Sequence, residues 1–131
     1  MRNKLKTTNR GGTKVEYDGI EFKSKLELYT YKRLKELNIE VEYEGKTFTL
    51  VEPFIYNNKK IQAMTYTPDF IGENFIIECK GYSNESFPLR WKIFNYYLYI
   101  NNIKVDLYKP HTNKQVDKAV SSIVKKLKKK K

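Results

Sequence analysis

The sequence predicts one α/β domain in which a central mixed β-sheet is flanked by helices, with a basic helix at the C-terminus. A length of 131 residues suits a single hydrophobic core. Apolar and alternating runs bounded by turn residues occupy the middle of the chain, and three other segments carry apolar residues at helical spacing. A strand, a helix and a strand follow one another from Phe75 to Tyr108, which predicts a right-handed parallel crossover.

The chain begins with a basic segment. Residues 1–14 contain basic residues and no acidic residue, and Gly11 and Gly12 make the segment flexible. Two interpretations stay open, an arm that orders on a nucleic-acid backbone and an untethered terminus. The segment Tyr17–Ile20 is then expected to be a turn leading into the first helix.

The first helix is predicted from Ser24 to about Leu37. Ser24 and Glu27 have the Ser-x-x-Glu spacing of a capping box, which marks a helix N-terminus. Asn38 is expected to end the helix. The buried face is predicted from an apolar stripe whose members are Leu26, Thr30, Leu34 and Leu37.

The middle of the chain is predicted to form strands. Asn57–Lys60 is a turn between two of them. Pro68 has no N–H to donate, so it is expected at a sheet edge or at a bulge that re-aims Asp69. The predicted strands are Ile39–Tyr43, Phe48–Leu50, Phe54–Tyr56 and Ile61–Ile71.

The last third of the chain is predicted to form a helix, a strand and a helix. Gly81–Ser86 is a polar loop, and Pro88 suits the first turn of a helix that runs to about Ile100. A strand is predicted over Lys104–Tyr108, and the last helix is predicted from Lys114 onwards. The stripe of the second helix is Leu89, Ile93, Tyr97 and Ile100, and that of the third is Val116, Val120, Ile123, Val124 and Leu127. The domain division is therefore 1–14 for the arm, 15–113 for the main domain and 114–131 for the lysine-rich helix and tail.

A hairpin around Gly72–Asn74 brings two acidic residues together. The turn residues pair Gly72 with Phe75, and continuing this register places Asp69 directly opposite Glu78. Strand alternation puts Lys80 on the face of the carboxylates and turns Cys79 to the other face. Apolar neighbours indicate that the pair is buried, where it is costly unless a cation lies between the two carboxylates.

Two explanations fit this hairpin. Carboxylate oxygens are the ligands that Mg²⁺ prefers, and Mg²⁺ keeps several waters when two carboxylates hold it, so Lys80 would orient or activate a water there. The alternative is an ordinary surface cluster of ion pairs. Because Asp69 follows Pro68 and Glu78 ends a run of buried-type residues, we favour the metal site.

Charge points to a polyanionic partner. The formal net charge is +11 and the sequence pI is about 9.6, which makes nucleic acid the first candidate. No apolar run is long enough to span a bilayer, and no secretory signal begins the chain. The single cysteine, Cys79, permits no internal disulfide and fits a reducing compartment, and with one histidine a Cys/His zinc site is excluded.

The spacing from Pro68–Asp69 to Glu78–Lys80 resembles the PD-(D/E)XK nuclease superfamily. Four pieces in order, residues 15–27, 65–70, 78–81 and 87–94, resemble a small phage-encoded, endonuclease-like family assigned to that superfamily. The resemblance implies a restriction-endonuclease-like αβββαβ core and a DNA endonuclease that needs Mg²⁺ or Mn²⁺. It also implies a phage protein in the cytoplasm of a bacterial host.

The resemblance also implies roles for individual residues. Asp69, Glu78 and the Cys79 backbone carbonyl would bind the metal, with Lys80 acting on the attacking water. Glu27 would complete the metal site, although it could instead cap the first helix by binding the N–H of Ser24. Lys92 is preferred to Arg90 for approaching the scissile phosphate, and both could equally be solvated. His111 is a further general-base candidate in a loop, where a lone histidine is more often incidental.

The expected function is therefore phosphodiester hydrolysis by a metal-activated water. A domain of this size has little room for a sequence-reading module, so structure-selective or non-specific cutting is expected. A Holliday-junction-resolvase-like enzyme acting as a homodimer is one form of it. The alternative is a non-catalytic accessory protein that binds nucleic acid, and a membrane-surface protein using the lysine-rich helix is a third interpretation that leaves the hairpin unexplained.

Overall fold

The described part of the chain has a mixed α/β fold with three helices. The computed structural model describes residues 14–80 and 86–129. Most of the predicted basic arm, most of the polar loop before the second helix and the last two lysines therefore lie outside the described residues. The helices are α1 (Lys25–Glu36), α2 (Phe87–Ile100) and α3 (Asn113–Lys129), which confirms the three predicted helices.

Within residues 14–80 and 86–129, ten short strands form four small sheets. In chain order they are β1 (Val15–Tyr17), β2 (Ile20–Phe22), β3 (Glu42–Tyr43), β4 (Phe48–Val51), β5 (Phe54–Tyr56), β6 (Lys59–Ile61), β7 (Met64–Tyr66), β8 (Phe70–Ile71), β9 (Phe75–Ile77) and β10 (Asp106–Tyr108). The largest sheet has the order β10-β9-β8-β3, and β1–β2, β4–β7 and β5–β6 form two-stranded sheets.

The four-stranded sheet is mixed, as predicted. β10 pairs with β9 in parallel, with Asp106 opposite Phe75, and the helix α2 makes the connection between them. β8 pairs antiparallel with both β9 and β3. The sheet therefore combines one hairpin with one crossover unit.

Two strand predictions were wrong, and one predicted turn leads into a strand instead of a helix. Tyr17–Ile20 does not lead into a helix: it is the turn of the β1–β2 hairpin, with Asp18 and Gly19 at φ values of +60° and +79°. Most of Ile39–Tyr43 is not a strand, because the Ile39 N–H donates to the Leu34 carbonyl at the end of α1, 3.0 Å away.

The predicted strand Ile61–Ile71 is also broken. β6, β7 and β8 occupy parts of it, and Pro68 and Asp69 lie between β7 and β8. A strand cannot continue regularly through a residue without an N–H, so the chain leaves one sheet at Pro68 and enters another at Phe70. Asp69 is thereby placed at the entry to the central sheet.

The ends of α1 are set by local hydrogen bonds. The Ser24 hydroxyl accepts from the backbone N–H of Glu27 at 3.1 Å, which confirms the predicted start. Thr30 and Leu34 are buried as predicted. Leu37 is 43% exposed, because it is the C-cap residue and lies beyond the buried face.

The buried face of α2 differs from the predicted stripe. Phe87, Phe94 and Leu98 are buried, whereas Leu89 and Ile100 are exposed. Phe94 packs against Phe48 and Tyr66, with ring centroids 5.1 and 4.7 Å apart. The aromatic partners on β4 and β7 therefore select a face rotated from the one that the aliphatic spacing indicated.

Two hydrophobic clusters cover the two faces of the central sheet. The first joins α1 and α3 to one face and includes Phe70, Ile77, Val116 and Val120. The second joins α2, β4 and β7 to the other face through Ile76. The predicted apolar residues of α3 belong to the first cluster, so α3 is part of the same core as α1. Within the described residues, no helix is long and apolar enough to cross a membrane.

Candidate functional site

Asp69 and Glu78 lie next to each other at the end of the β8–β9 hairpin. Phe70 pairs with Ile77, Ile71 pairs with Ile76, and the Gly72 N–H donates to the Phe75 carbonyl at 2.9 Å. The predicted hairpin register is therefore confirmed. Asp69 is 2% exposed and Glu78 is 9% exposed, so both carboxylates are buried as predicted.

Each carboxylate is fixed by the opposite strand. The Cys79 N–H donates to Asp69 Oδ2 at 2.8 Å, and the Asp69 N–H lies 3.3 Å from Glu78 Oε1. The Tyr66 hydroxyl also donates to Glu78 Oε1, at 2.5 Å. These bonds hold the two side chains in one place without neutralising their combined charge.

The electrostatics of the pair favour protonation or a bound cation. Burial, followed by the charges of Glu78 and Glu27, raises the pKa of Asp69 well above its usual range. Burial also raises the pKa of Glu78, although the Tyr66 hydroxyl and the Asp69 N–H oppose this shift. Two buried carboxylates with raised pKa values bind a cation more readily than two solvated ones, because the cation relieves their repulsion.

Glu27 lies beside this pair but is held by α1 and β3. Its Oε1 accepts from the backbone N–H of Lys23 at 2.9 Å and from the Tyr43 hydroxyl at 2.6 Å. Glu27 therefore caps the N-terminus of α1 by accepting from the N–H of Lys23, whereas the N–H of Ser24 was the expected capping partner. Its charge still reaches Asp69, since it contributes to the raised pKa of that residue. A metal-site role for Glu27 stays a prediction.

Lys23 is the cation closest to Asp69 among the ion pairs of the described residues. Its Nζ lies 2.8 Å from Glu44 Oε2 and 3.8 Å from Asp69 Oδ1. Burial disfavours its charge, but the bond to Glu44 and the charges of Asp69 and Glu27 together raise the pKa of Lys23. Lys23 therefore stays charged and supplies part of the neutralisation that the carboxylates need.

Lys80 follows Glu78 by two residues and lies over an aromatic ring. Its Nζ is 4.4 Å from the centre of the Phe87 ring, and its charge lowers the pKa of Glu78. Lys109 Nζ lies over the same ring at 5.8 Å and over Trp91 at 5.7 Å. The Lys80 N–H donates to the Pro110 carbonyl, which ties the two lysine-bearing segments together. The site thus has a positively charged rim on the α2 side.

The two basic residues predicted on α2 have different environments. Lys92 is exposed and lies on the side of the helix away from Phe87, Phe94 and Leu98. Arg90 is half-buried, its charge lowers the pKa of Tyr66, and its Nε is buried without a hydrogen-bond partner in the described part of the chain. Arg90 is therefore the one placed near the carboxylates, and the predicted role of Lys92 stays a prediction.

The contacts of Cys79 and His111 stabilise the fold around α1 and α3. The Thr30 hydroxyl donates to the Leu26 carbonyl and lies 3.3 Å from Cys79 Sγ, so the thiol is buried against α1. Burial raises the pKa of this thiol well above its usual range, which makes it unreactive. His111 is exposed, and its N–H donates to the Gln115 side chain before α3. The Cys79 carbonyl as a metal ligand and His111 as a base stay predictions.

The bond from Tyr66 to Glu78 predicts a loss of stability in Tyr66→Phe. The substitution removes the hydroxyl donor from a buried carboxylate, which costs about 1 kcal/mol or more in the free energy of unfolding at pH 8. Urea denaturation in the presence of EDTA measures it. Tyr97→Phe is the matched control, because Tyr97 packs in the same cluster without a described hydrogen bond from its hydroxyl. Equal stability of the two variants would show that this bond contributes nothing.

The donor set available for a metal is small. No group of three or more His, Cys, Asp or Glu side chains that could hold an ion occurs within residues 14–80 and 86–129. Asp69 and Glu78 provide two buried carboxylates, and one or two carboxylates together with water are the usual protein ligands of Mg²⁺. The pair therefore fits Mg²⁺ or Mn²⁺ and does not fit a cage made entirely of protein ligands.

Sequence reasoning missed three residues that complete the site. Lys23 precedes the helix cap, Tyr43 lies on β3, and Tyr66 ends β7. Each reaches a carboxylate that is distant in sequence, so no spacing rule points to it. The one available signal is the position of Lys23 directly before Ser24, where the side chain is held at the helix entrance.

One family model matches the chain. It is described as "Protein of unknown function (DUF1064)" and it covers residues 8–116. No curated protein and no solved structure matches the chain.

Proposed function

The chain belongs to the family of unknown function DUF1064, and from its site we propose that it is a metal-dependent endonuclease that hydrolyses phosphodiester bonds in DNA. The observation that carries this proposal is the buried pair of Asp69 and Glu78. Two buried carboxylates side by side are costly when both are charged, and Lys23 compensates for this charge only in part. A bound Mg²⁺ or Mn²⁺ would supply the rest.

The element order supports the proposed relationship to PD-(D/E)XK nucleases. If the β1–β2, β4–β7 and β5–β6 hairpins are set aside, the chain runs α1, β3, β8, β9, α2, β10. This order agrees with the αβββαβ order that the resemblance implies, and the agreement supports the proposal. Asp69 precedes β8 and Glu78 follows β9, which is compatible with the metal-binding roles that the resemblance implies for them.

In this mechanism Asp69 and Glu78 hold the ion, with Glu27 nearby. An ion held there would supply Lewis-acid chemistry toward the phosphate and toward the attacking water. The chain contributes orientation: the Cys79 N–H and the Tyr66 hydroxyl fix the two carboxylates before substrate arrives. Lys80, held above Phe87 and beside Glu78, would neutralise charge that builds up on the phosphate oxygens.

The surroundings of the site favour a polyanionic substrate. Lys80 and Lys109 share the Phe87 ring, and the charge of the half-buried Arg90 acts on Tyr66, which bonds to Glu78. Cations close to two carboxylates suit a phosphodiester, because its phosphate is anionic and a metal ion held by carboxylates can assist its cleavage. The net charge of +11 would hold the rest of the duplex without sequence preference. Cutting of branched DNA by a dimer is the form of this activity that we test first.

A second candidate is an accessory protein that binds nucleic acid without cutting it. The observation that favours it is the lack of a third acidic or histidine ligand in the described part of the chain. An accessory protein without a metal site would not explain why Asp69 is buried beside Glu78, which is unfavourable in free energy when both are charged.

Cleavage assays separate the two functions. We expect supercoiled plasmid and a labelled four-way junction to be cut in Mg²⁺ or Mn²⁺ and to stay intact in EDTA. Faster cutting of the junction would indicate selectivity for branched DNA. Binding without cutting under either metal ion would contradict the nuclease and favour the accessory protein.

A further inference from the structure

The strands β5 and β6 form a hairpin that projects from the rest of the protein, and we refer to residues 51–63 as the outer hairpin. Every residue from Val51 to Ala63 is exposed. The two strands pair with each other in a sheet of their own. Three consecutive apolar side chains on β5 are therefore open to solvent, with exposed fractions of 48% for Phe54, 74% for Ile55 and 67% for Tyr56.

The tip of the outer hairpin is narrow and well defined. Asn57 and Asn58 have φ values of +51° and +62°, the left-handed conformation that a two-residue turn between twisted strands requires. The register places Tyr56 opposite Lys59 and Ile55 opposite Lys60. Since opposed residues share a face, each face of the tip presents an apolar side chain beside a lysine.

This combination is unusual for a surface that only contacts water. Single exposed apolar residues are common, but a projecting hairpin that buries none of its apolar residues marks a contact with another molecule. The strand propensity of these residues explains the hairpin but does not explain why both of its faces are left uncovered.

Charge indicates which molecule makes this contact. The outer hairpin contains two lysines near its tip and one acidic residue, Glu52, at its base. Neither lysine forms an ion pair with any side chain that the structure describes. A second copy would bring lysine against lysine between two chains of charge +11, whereas a polyanion would neutralise both.

We propose that the outer hairpin is a nucleic-acid-binding element, with Lys59 and Lys60 on backbone phosphates and Ile55 and Tyr56 against the bases. Apolar side chains inserted between base steps, flanked by cations on the phosphates, are an established way of binding and bending a duplex. The inference rests on the nucleic-acid-binding part of the proposed function and assigns a contact outside the carboxylate site.

The outer hairpin is joined to the carboxylates by β4 and β7. β7 ends at Tyr66, whose hydroxyl bonds to Glu78, and the tip at Asn58 lies eight residues earlier in the chain. Eight residues of extended chain span at most about 26 Å, which equals roughly eight base pairs of duplex. The outer hairpin would therefore contact DNA up to that distance from the cleaved bond.

Fluorescence anisotropy on a labelled 30-base-pair duplex, in EDTA and over a range of salt concentrations, tests this inference. The Ile55→Thr/Tyr56→Thr variant keeps strand propensity and is expected to lose about tenfold in affinity, with an unchanged salt slope. The Lys59→Gln/Lys60→Gln variant is expected to reduce the slope of log K on log salt by about two, because two phosphate contacts are lost. Tyr99→Ala, which removes an aromatic residue that is 78% exposed on α2, is the control and should change neither quantity.

The possible failures are distinguishable. Unchanged affinity and slope in both double variants would overturn the inference, while metal-dependent cutting by the wild type would leave the nuclease intact. A dimer that dissociates in the Ile55→Thr/Tyr56→Thr variant during sedimentation, with unchanged affinity for DNA, would overturn it in favour of a contact between copies. No binding of the duplex by the wild type would contradict both the inference and the proposed function. The replaced residues are exposed, so equal thermal unfolding of all variants is expected to exclude misfolding.

Discussion

Asp69→Asn is expected to reduce metal-dependent cleavage by at least about a thousandfold, because a metal ligand is replaced by a neutral amide. DNA binding should be nearly unchanged, since the substitution adds no negative charge and leaves the lysines in place. The amide oxygen can still accept from the Cys79 N–H, so the local geometry is kept. Loss of activity without loss of structure is therefore the expected outcome.

The same substitution is expected to stabilise the metal-free protein at neutral pH. Asp69 and Glu78 have raised pKa values in the folded protein, so the folded state binds more protons than the unfolded state above the usual carboxyl pKa of about 4. Their contribution to stability is complete below that pH and is lost as the pH rises through the raised values. Asp69→Asn removes one of these titrating groups. The Tm of the variant in EDTA should therefore be higher than that of the wild type at neutral pH, and it should decrease less steeply as the pH rises.

These expectations are checked by plasmid cleavage, duplex binding and thermal unfolding from pH 4 to 9, with and without Mg²⁺. Asp106→Asn is the matched control, because Asp106 is a half-buried aspartate paired with Lys126 at the other end of β10. A Tm increase caused by Mg²⁺ should appear in the wild type and in the control and should disappear in Asp69→Asn. Full cleavage by Asp69→Asn would contradict the assignment of the site.

Lys23→Met is expected to increase the affinity for Mg²⁺ by about tenfold or more. The Lys23 ammonium group lies 3.8 Å from Asp69 Oδ1 and opposes a second cation at the carboxylates. At 4–6 Å, the repulsion between a single and a double positive charge is about 1–2 kcal/mol even in water, where tenfold in affinity corresponds to 1.4 kcal/mol. Without Lys23 the metal-free protein should be less stable, because the carboxylates lose a neutralising charge.

Calorimetric titration with Mg²⁺, together with Tm in EDTA, measures both effects. Lys80→Met is the comparison, since it also removes one positive charge beside Glu78 but from a side chain held over Phe87. Its effect on metal affinity should be the smaller of the two, and its effect on cleavage the larger. Weaker Mg²⁺ binding by Lys23→Met would mean that Lys23 helps to build the metal site rather than competing with the ion.

Local sequence determined a large part of the fold. Ser24 and Glu27 specified the start of α1, because a cap bonds to backbone groups within one turn. Pro88 correctly indicated the beginning of α2. The hairpin around Gly72 specified its own register, since alternation with a period of two leaves one pairing that buries the apolar side chains.

What failed at the sequence level depended on partners distant in the chain. The face of α2 followed Phe48 and Tyr66 on β4 and β7 rather than the aliphatic spacing within the helix. The strand predicted through Pro68 was divided between separate sheets. Ile39 was predicted in a strand, but its N–H bonds to the Leu34 carbonyl at the end of α1. Aliphatic spacing predicts that a segment is helical, but it does not specify which other elements pack against each face of the helix.

The sequence by itself determined that Asp69 and Glu78 lie together, because hairpin pairing is a local property of one turn and two strands. Only the tertiary structure decided what surrounds them: Lys23 from the entrance to α1, Tyr66 from β7 and Glu27 held by Tyr43. Those contacts join separate elements across the core, and their distances follow from how the helices pack on the sheet. The same packing decided that both carboxylates are buried, and burial is the first cause of their raised pKa values.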